Sequence, residues 1–166
     1  MKGYIPIEMP TKRYIRAFII AQLGSKPVMS SDHVIGNKFT DVLQRHCNER
    51  RTEFARKHYD ASLRVYVSIN VFRRLGANLN ETNVKNFNCF VQALIKDKVR
   101  FLLDVYVPLL GSFHAALGKV RETMGIEDDD WESDSIQKDY YRYRIKNKVP
   151  LLYKKRTGRR LLKMSF

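Results

Sequence analysis

The sequence predicts an α+β fold that is dominated by helices and has a small sheet in its N-terminal half. Two short segments, about 3–8 and 62–70, alternate apolar and polar residues, which is typical of half-buried strands. In the second half, apolar residues recur every three or four positions, the period of amphipathic helices. With 166 residues and 44% hydrophobic content the chain can bury one ordinary core. We therefore expect a single globular domain over 1–148 and a basic tail over 149–166.

The first predicted strand, 3–8, is expected at a sheet edge, because Pro6 has no N–H to donate to a neighbouring strand. A helix is predicted next in TKRYIRAFIIAQLG, where apolar pairs recur at helical spacing. Thr11 is its candidate N-cap and Gly24 its candidate C-terminal stop. The β-branched run in this segment leaves a strand open as the alternative.

A second helix is predicted from the polar segment Ser30–Asp32, which offers N-caps, to about Cys47. Residues 48–60 are highly charged and are interpreted as a solvated connector or a helical turn. The segment SLRVYVSINVF then predicts the second strand, and Gly76 ends this strand or the turn that follows it.

Two helices are predicted in the centre of the second half. The first begins at Asn80 or Thr82 and is long and amphipathic, and it is expected to end by Pro108 because proline interrupts helical hydrogen bonding. The second covers 112–124, and Gly125 provides its stop.

A last helix is predicted over 133–147, directly after an acidic connection. Ser133 or Asp134 is its expected N-cap, and the preceding acids suit the positive end of the helix dipole. Three residues at helical spacing are expected to face the core: Ile136, Tyr140 and Tyr143. Four others are expected to form a second, polar stripe: Gln137, Tyr141, Arg144 and Lys148.

Positive charge is concentrated at the C-terminal end of the chain. Residues 138–166 contain eleven Lys and Arg and one acid, so they supply +10 of the formal net charge of +14. A segment of this kind neutralises phosphates and releases condensed counterions, which gives affinity for nucleic acid before any base is read. We expect DNA as the partner, with RNA as the alternative that the same charges allow. A palindromic target would require a dimer.

The last helix has the side chains that read DNA in the major groove, where Arg pairs with guanine and Gln with adenine. Groove contacts are expected from Gln137, Tyr141 and Arg144. Phosphate contacts are expected from basic residues of the helix and the tail: Lys138, Arg142, Lys148, Lys154, Lys155, Arg156, Arg159 and Arg160. The tail would follow the DNA backbone or enter a minor groove as an arm.

The stretch FHAALGKVRETMGIEDDDWESDSIQKDYYRYR, residues 113–144, resembles the C-terminal helix-turn-helix segment of small basic DNA-binding proteins of bacterial phages and conjugative transposons. The resemblance implies a helix-turn-helix-like part over 112–147, with 112–124 as the supporting helix and 133–147 as the recognition helix. It also implies a role in regulating or maintaining a mobile element. The connection over 125–132 is longer than that of a tight helix-turn-helix.

A DNA-nicking activity is not predicted, although the chain has the adjacent tyrosines Tyr140 and Tyr141 and paired tyrosines are the nucleophiles of some DNA-nicking enzymes. Their metal site usually requires a His-hydrophobe-His triplet, and the four histidines of this chain are scattered: His33, His46, His58 and His114. No acid, base and nucleophile can be assembled from neighbouring residues, so we expect a protein that is not an enzyme.

Cofactor and metal sites are not predicted either. The acids of 127–134 alternate as at the start of an EF-hand loop, but position six would be Ser133 instead of Gly and position twelve Asp139 instead of Glu. The Gly-Lys pair at Gly118 and Lys119 lacks the spacing and the following Ser or Thr of a phosphate-binding loop.

The sequence predicts a cytoplasmic protein without a membrane span. No apolar run approaches the ~20 residues that cross a bilayer, and the N-terminal segment lacks the apolar core of a secretory signal. Cys47 and Cys89 are isolated, which fits a reducing compartment and buried or inert thiols.

An alternative function is a protein-interaction or structural module of a phage or transposon. Its basic tail would dock on an acidic partner, and the long helix, 82–107, would provide an oligomerisation surface. A wide apolar area left exposed on that helix would favour this alternative.

Overall fold

The computed structural model describes residues 3–43 and 59–148. The end of the predicted second helix, most of the charged connector and the whole basic tail lie outside the described residues. The five tail residues expected to contact phosphates are therefore not placed: Lys154, Lys155, Arg156, Arg159 and Arg160.

The described chain has the predicted α+β class, with many helices and a two-stranded antiparallel sheet in the N-terminal half. The elements in order are β1 Tyr4–Thr11, α1 Arg13–Leu23, α2 Val34–Asp41, β2 Ala61–Ser68, α3 Ile69–Leu75, α4 Glu81–Leu110, α5 Phe113–Met124 and α6 Ser133–Lys146. One hydrophobic cluster joins buried side chains from β1 to α6.

The two strands pair along their whole length, from Tyr4 opposite Ser68 to Thr11 opposite Ala61. Alternate side chains of each strand are buried, as the period-two pattern predicts. On the other side of β2, the Tyr66 N–H donates to the Pro27 carbonyl at 2.9 Å, and the Tyr66 carbonyl accepts from the Met29 N–H at 2.8 Å. β1 is therefore the outer strand, which confirms the predicted edge position.

The N-terminal helices differ from the prediction in how they begin. Thr11 is the last residue of β1 and is fully buried, so α1 starts after Lys12 without a side-chain cap. At α2, His33 takes the place of the predicted Ser and Asp caps, because its Nδ1 accepts the Ile35 N–H at 3.1 Å. The predicted stop of α1 at Gly24 is confirmed by its φ of +83°.

The predicted second strand is too long at its C-terminal end. β2 stops at Ser68, and the following apolar run forms α3. The Ser68 hydroxyl accepts the Val71 N–H at 3.3 Å, so this serine is an N-cap. The run is short enough to fit both the strand and the helix period, which is why its pattern did not separate the two.

The long helix α4 is the centre of the fold. Asn80 caps it, since its Oδ1 accepts the Asn83 N–H at 2.7 Å. α4 continues through Pro108 to Leu110, and Gly111 follows as its C-cap with the left-handed φ of +63°, so the predicted end by Pro108 is two residues too early. A proline this close to the end of a helix interrupts little of its hydrogen bonding. Residues one helical turn apart along α4 are buried: Val84, Phe87, Asn88, Val91, Ile95, Val99, Leu103 and Val107.

The side chain of Asn88 links α4 to β1 in the core. Its Nδ2 donates to the Pro10 carbonyl at 3.1 Å and to the Val84 carbonyl at 2.9 Å. Its Oδ1 accepts the Thr11 hydroxyl at 2.7 Å. The buried polar groups of both elements are thereby satisfied.

Helices α5 and α6 lie where the sequence predicts them, and Arg121 organises the connection between them. Its Nη2 donates to Asp128 Oδ1 at 2.5 Å, to the Trp131 carbonyl at 2.6 Å and to Ser133 Oγ at 3.1 Å. The Ser133 hydroxyl donates to Asp128 instead of capping α6, so neither predicted N-cap of this helix is formed. Hydrogen bonding from Ser133 and the charge of Arg121 hold the pKa of Asp128 below its usual value.

Candidate nucleic-acid interface

Helix α6 packs on α4 through a buried face that consists of Ile136, Tyr140 and Arg144. The Tyr140 hydroxyl donates to Asp104 Oδ1 of α4 at 2.7 Å. The Nη1 of Arg144 donates to the same Asp104 oxygen at 2.7 Å and to the Tyr140 hydroxyl at 2.6 Å. These three polar groups fix the position of α6 against the long helix.

Arg144 is therefore not a groove contact, and this part of the sequence prediction is wrong. The residue is 1% exposed and cannot reach a base edge. Position 144 lies one helical turn after Tyr140, so both side chains face the same way. The sequence interpretation placed Tyr143 on that buried face, whereas Tyr143 is half-buried at its border.

Burial changes the pKa of Tyr140, the tyrosine of this cluster. Desolvation, followed by the hydrogen bond to the Asp104 carboxylate, raises the pKa of Tyr140 to about 12. The phenol is thus neutral throughout the physiological range and acts as a hydrogen-bond donor. It has none of the lowered pKa that would suit a nucleophile.

The other two predicted groove contacts, Gln137 and Tyr141, are half-buried on one flank of α6. The Gln137 Nε2 donates to the Tyr141 hydroxyl at 3.0 Å. The Tyr141 ring packs beside the ring of Phe113 from α5, with 6.2 Å between the ring centres and 30° between the ring planes. With Arg144 in the core, the three residues do not form a common exposed surface.

An exposed face of α6 instead carries a line of three basic side chains, Lys138, Arg142 and Lys146, spaced one helical turn apart. We call these three residues the basic stripe. None of them has a hydrogen bond or ion pair with the described part of the chain. Lys138 and Arg142 were predicted as phosphate contacts, whereas Lys146 was missed, although its spacing of four from Arg142 is visible in the sequence.

Lys148, another predicted phosphate contact, is exposed but lies beyond the end of α6. It has a φ of +52°, so the chain changes direction there.

Two basic residues of α4 lie beside the opposite flank of α6, where both contact Asp139. The Arg100 guanidinium donates through Nε and Nη2 to the two carboxylate oxygens, at 3.0 and 3.1 Å. The Lys96 Nζ is 3.3 Å from Oδ1 of the same carboxylate. The Arg100 guanidinium also lies over the Tyr143 ring, 5.0 Å from its centre. Sequence reasoning missed Arg100 and Lys96, because their proximity to α6 depends on how the helices pack.

A cleft of about 310 Å³ lies at this flank, where Arg100 of α4 stands beside α6. We call it the α4–α6 cleft, and its lining residues are Arg100, Asp139, Arg142, Tyr143, Lys146 and Asn147. Two residues of the basic stripe thus form one wall, and Arg100 lies on the other. The stripe and the cleft together are the candidate interface.

Metal-ligand clusters and membrane-spanning helices are absent from the part of the chain that the structure describes. Residues 3–43 and 59–148 contain no group of three His, Cys, Asp or Glu side chains placed to hold a metal ion. Within the same ranges, no helix combines the length and apolar character that would span a bilayer. Of the two alternatives expected for the thiols, buried or inert, the buried one is wrong for Cys89, which is exposed. Cys47 lies outside the described residues.

No family model, no curated protein sequence and no solved structure matches this chain. The resemblance of 113–144 to phage and transposon proteins therefore stays a prediction. The interface has to be interpreted from its own residues.

Proposed function

We propose that the protein binds DNA without catalysing a reaction, through the exposed face of α6 and the basic segment that follows it. The observation that carries the proposal is the basic stripe, which is exposed and has no acidic partner in the described chain. Charged side chains that face solvent in a line are suited to a linear polyanion, because each can replace condensed counterions on a phosphate.

The burial of Arg144 favours backbone contacts over base readout. The remaining cations are Lys138, Arg142 and Lys146 of α6 and Lys148 just beyond its end, which as a group carry no base-specific arrangement. Gln137 and Tyr141 keep partial exposure, so in this proposal they make secondary contacts at the side of the interface. The basic residues of 149–166 add phosphate contacts by their charge.

The biological setting of this proposal comes from the sequence resemblance alone. Small basic proteins with a similar C-terminal segment belong to phages and conjugative transposons, so we propose a cytoplasmic role in regulating or maintaining a mobile element. The same cations would also bind RNA backbones, and a parallel titration with duplex RNA separates the two polymers.

The test is binding of the full chain to random-sequence duplex DNA over a salt series. It is compared with a 1–149 truncation and with the stripe variant Lys138→Gln/Arg142→Gln/Lys146→Gln. Each lost phosphate contact should reduce the slope of log K against log salt by about 0.9, so we expect a decrease of about 2–3 for the stripe variant.

A matched control removes the same charge elsewhere, in Lys12→Gln/Lys26→Gln/Lys85→Gln, whose three lysines are also exposed. It should change the slope by less than about 1, because charges far from the DNA are screened. Absence of duplex binding by the full chain would contradict the proposal. Equal losses in both triple variants would contradict the assigned face.

A second candidate function, the protein-interaction module, is favoured by one observation on α4. Its C-terminal half exposes Phe101, Val105 and Leu109, which lie one helical turn apart and are 65%, 39% and 73% exposed. Light scattering over a concentration series tests this function without DNA. Association that is lost in Phe101→Ser/Leu109→Ser would support it, and a monomer at all concentrations would remove self-association from consideration.

A further inference from the structure

We propose that the α4–α6 cleft holds one phosphate group of the DNA backbone between Arg142 and Lys146, with α4 as the second wall of the site. This inference rests on the proposed function and specifies where the backbone lies. It also assigns Arg100 of the long helix to the DNA interface, a role that no local sequence pattern predicts.

The cleft has an excess of positive charge. Asp139 is its acidic lining residue, and it is already paired with Arg100 and Lys96. Arg142 and Lys146 have no such partner in the described chain, so their charges are uncompensated. A phosphodiester carries one negative charge and several acceptor oxygens, and it would satisfy both side chains at once.

The side chains of Arg142, Lys146 and Arg100 line the same cleft. Four residues along a helix correspond to a rise of about 6 Å, so Arg142 and Lys146 can reach one phosphate from adjacent turns. Arg100 is held in place by the Asp139 carboxylate and by the Tyr143 ring. Since Arg100 is already ordered, little conformational entropy is lost when an anion approaches it.

The cleft residues and the predicted groove contacts lie on different faces of α6. At about 100° per residue, Arg142 and Lys146 lie between the solvent side of α6 and the flank of Asp139 and Tyr143. Gln137 and Tyr141 lie on the opposite flank, towards Phe113 of α5. A strand that follows the cleft would therefore run along the α4–α6 boundary, away from Gln137.

A second cleft in the molecule provides a comparison. It is larger, about 490 Å³, and lies beside α1. Its lining includes Arg13 and Arg16, but also Asp60 and Asp130, so its charges balance. Size alone thus does not indicate an anion site, and the uncompensated pair at positions 142 and 146 is what distinguishes the α4–α6 cleft.

The experiment compares the full chain with the cleft variant Arg142→Gln/Lys146→Gln and the control variant Lys26→Gln/Lys85→Gln. All four residues are exposed and both variants remove two charges. Binding to a random-sequence duplex is measured over a salt series. We expect the cleft variant to lose about tenfold in affinity and about 1 in the log–log salt slope, because one phosphate contact is lost, and the control to lose less than half of that slope.

A second arm adds pyrophosphate alone while amide and side-chain resonances of the ¹⁵N-labelled chain are followed by NMR. It distinguishes a backbone phosphate from a free one. Shifts at residues 142–147 with duplex, together with a selective loss in the cleft variant, would support the inference. If the full chain binds duplex and the two variants lose affinity equally, the cleft is overturned while the proposed function stands.

The reverse combination is also informative. If duplex does not bind but pyrophosphate shifts the resonances of 142–147, the DNA-binding function is overturned and the cleft is a site for a free phosphate compound, which overturns the backbone assignment. If duplex does not bind and pyrophosphate leaves the resonances of 142–147 unchanged, both the function and the cleft are overturned.

Discussion

At the scale of single residues, the two arginines of α6 show how position decides the role of identical side chains. Arg142 is exposed and without a partner in the described chain, whereas Arg144 is 1% exposed and donates to Asp104 and Tyr140. Only two positions separate them, which turns the helix by about 200°. One arginine is thus available to a ligand and the other holds α6 on α4.

The first prediction uses this pair. Arg144→Met should lower the free energy of unfolding by about 2–3 kcal/mol, because it leaves the Asp104 carboxylate without its cation and Tyr140 without a donor. The partial exposure of Asp104 keeps the loss at the lower end of values for buried pairs. Urea unfolding measures this change, and duplex affinity of the folded variant should stay the same.

Arg142→Met is the matched control and should give the reverse pattern. Its stability should remain within about 0.5 kcal/mol of the parent, as is usual for surface substitutions, while its duplex affinity falls. A fall in affinity for Arg144→Met without a loss of stability would contradict the structural role of Arg144.

The second prediction concerns alkaline pH. Burial raises the pKa of Tyr14 and of Tyr140 to about 12, against about 10 in an unfolded chain. Because the folded-state values are raised, the stabilisation by the neutral phenols is complete below pH 10 and is lost between pH 10 and 12. We expect a decrease of up to about 2 kcal/mol per tyrosine over this range.

Urea midpoints at pH 9, 10 and 11 test this, with tyrosinate absorbance as the report of ionisation. Tyr140→Phe should have a smaller decrease between pH 10 and 11 than the parent. A midpoint that stays constant from pH 9 to pH 11 would show that neither phenol is protected in the folded state.

At the scale of secondary-structure elements, polar side chains join helices and strands whose apolar faces already pack together. Asn88 ties α4 to β1, and Arg100 with Asp139 ties α4 to α6. Hydrophobic contact is non-directional, whereas these hydrogen bonds have fixed geometry. They therefore set the register of each element against α4.

The third prediction tests the first of these links. Asn88→Ala should lower the free energy of unfolding by about 2–3 kcal/mol, because the Thr11 hydroxyl and the Pro10 carbonyl lose their buried partner. Asn86→Ala, an exposed change two positions earlier on α4, should cost no more than about 0.5 kcal/mol. Equal denaturation midpoints for the two variants would rule out a stabilising role for the Asn88 link.

The sequence predicted those elements in which the hydrophobic pattern repeats several times. α4, α5 and α6 each repeat their apolar positions over several turns, and both strands alternate over most of their length. α3 was missed because seven residues contain too few repeats to distinguish two periods. The predicted stop at Pro108 failed because a proline near the end of a helix removes few hydrogen bonds.

At the scale of the whole molecule, the candidate site was predictable in its charge but not in its geometry. Composition placed the positive charge near the C-terminal end, and Lys138 and Arg142 were identified from it. The burial of Arg144 depends on Asp104, forty positions earlier on another helix. The contribution of Arg100 likewise depends on helix packing, and local patterns contain no information about either pair.

The outer strand of the sheet has a consequence for how molecules meet one another in concentrated solution. Tyr66 directs its N–H and carbonyl away from β1, so the opposite residue Pro6 faces the outer edge with a nitrogen that carries no hydrogen. Further along the same edge, the Pro10 carbonyl already accepts a hydrogen bond from Asn88 of α4. That edge therefore offers a second chain an interrupted row of hydrogen-bonding groups and resists strand addition. Pro6→Ala should restore the missing donor, and turbidity at high protein concentration should then develop faster than in the parent.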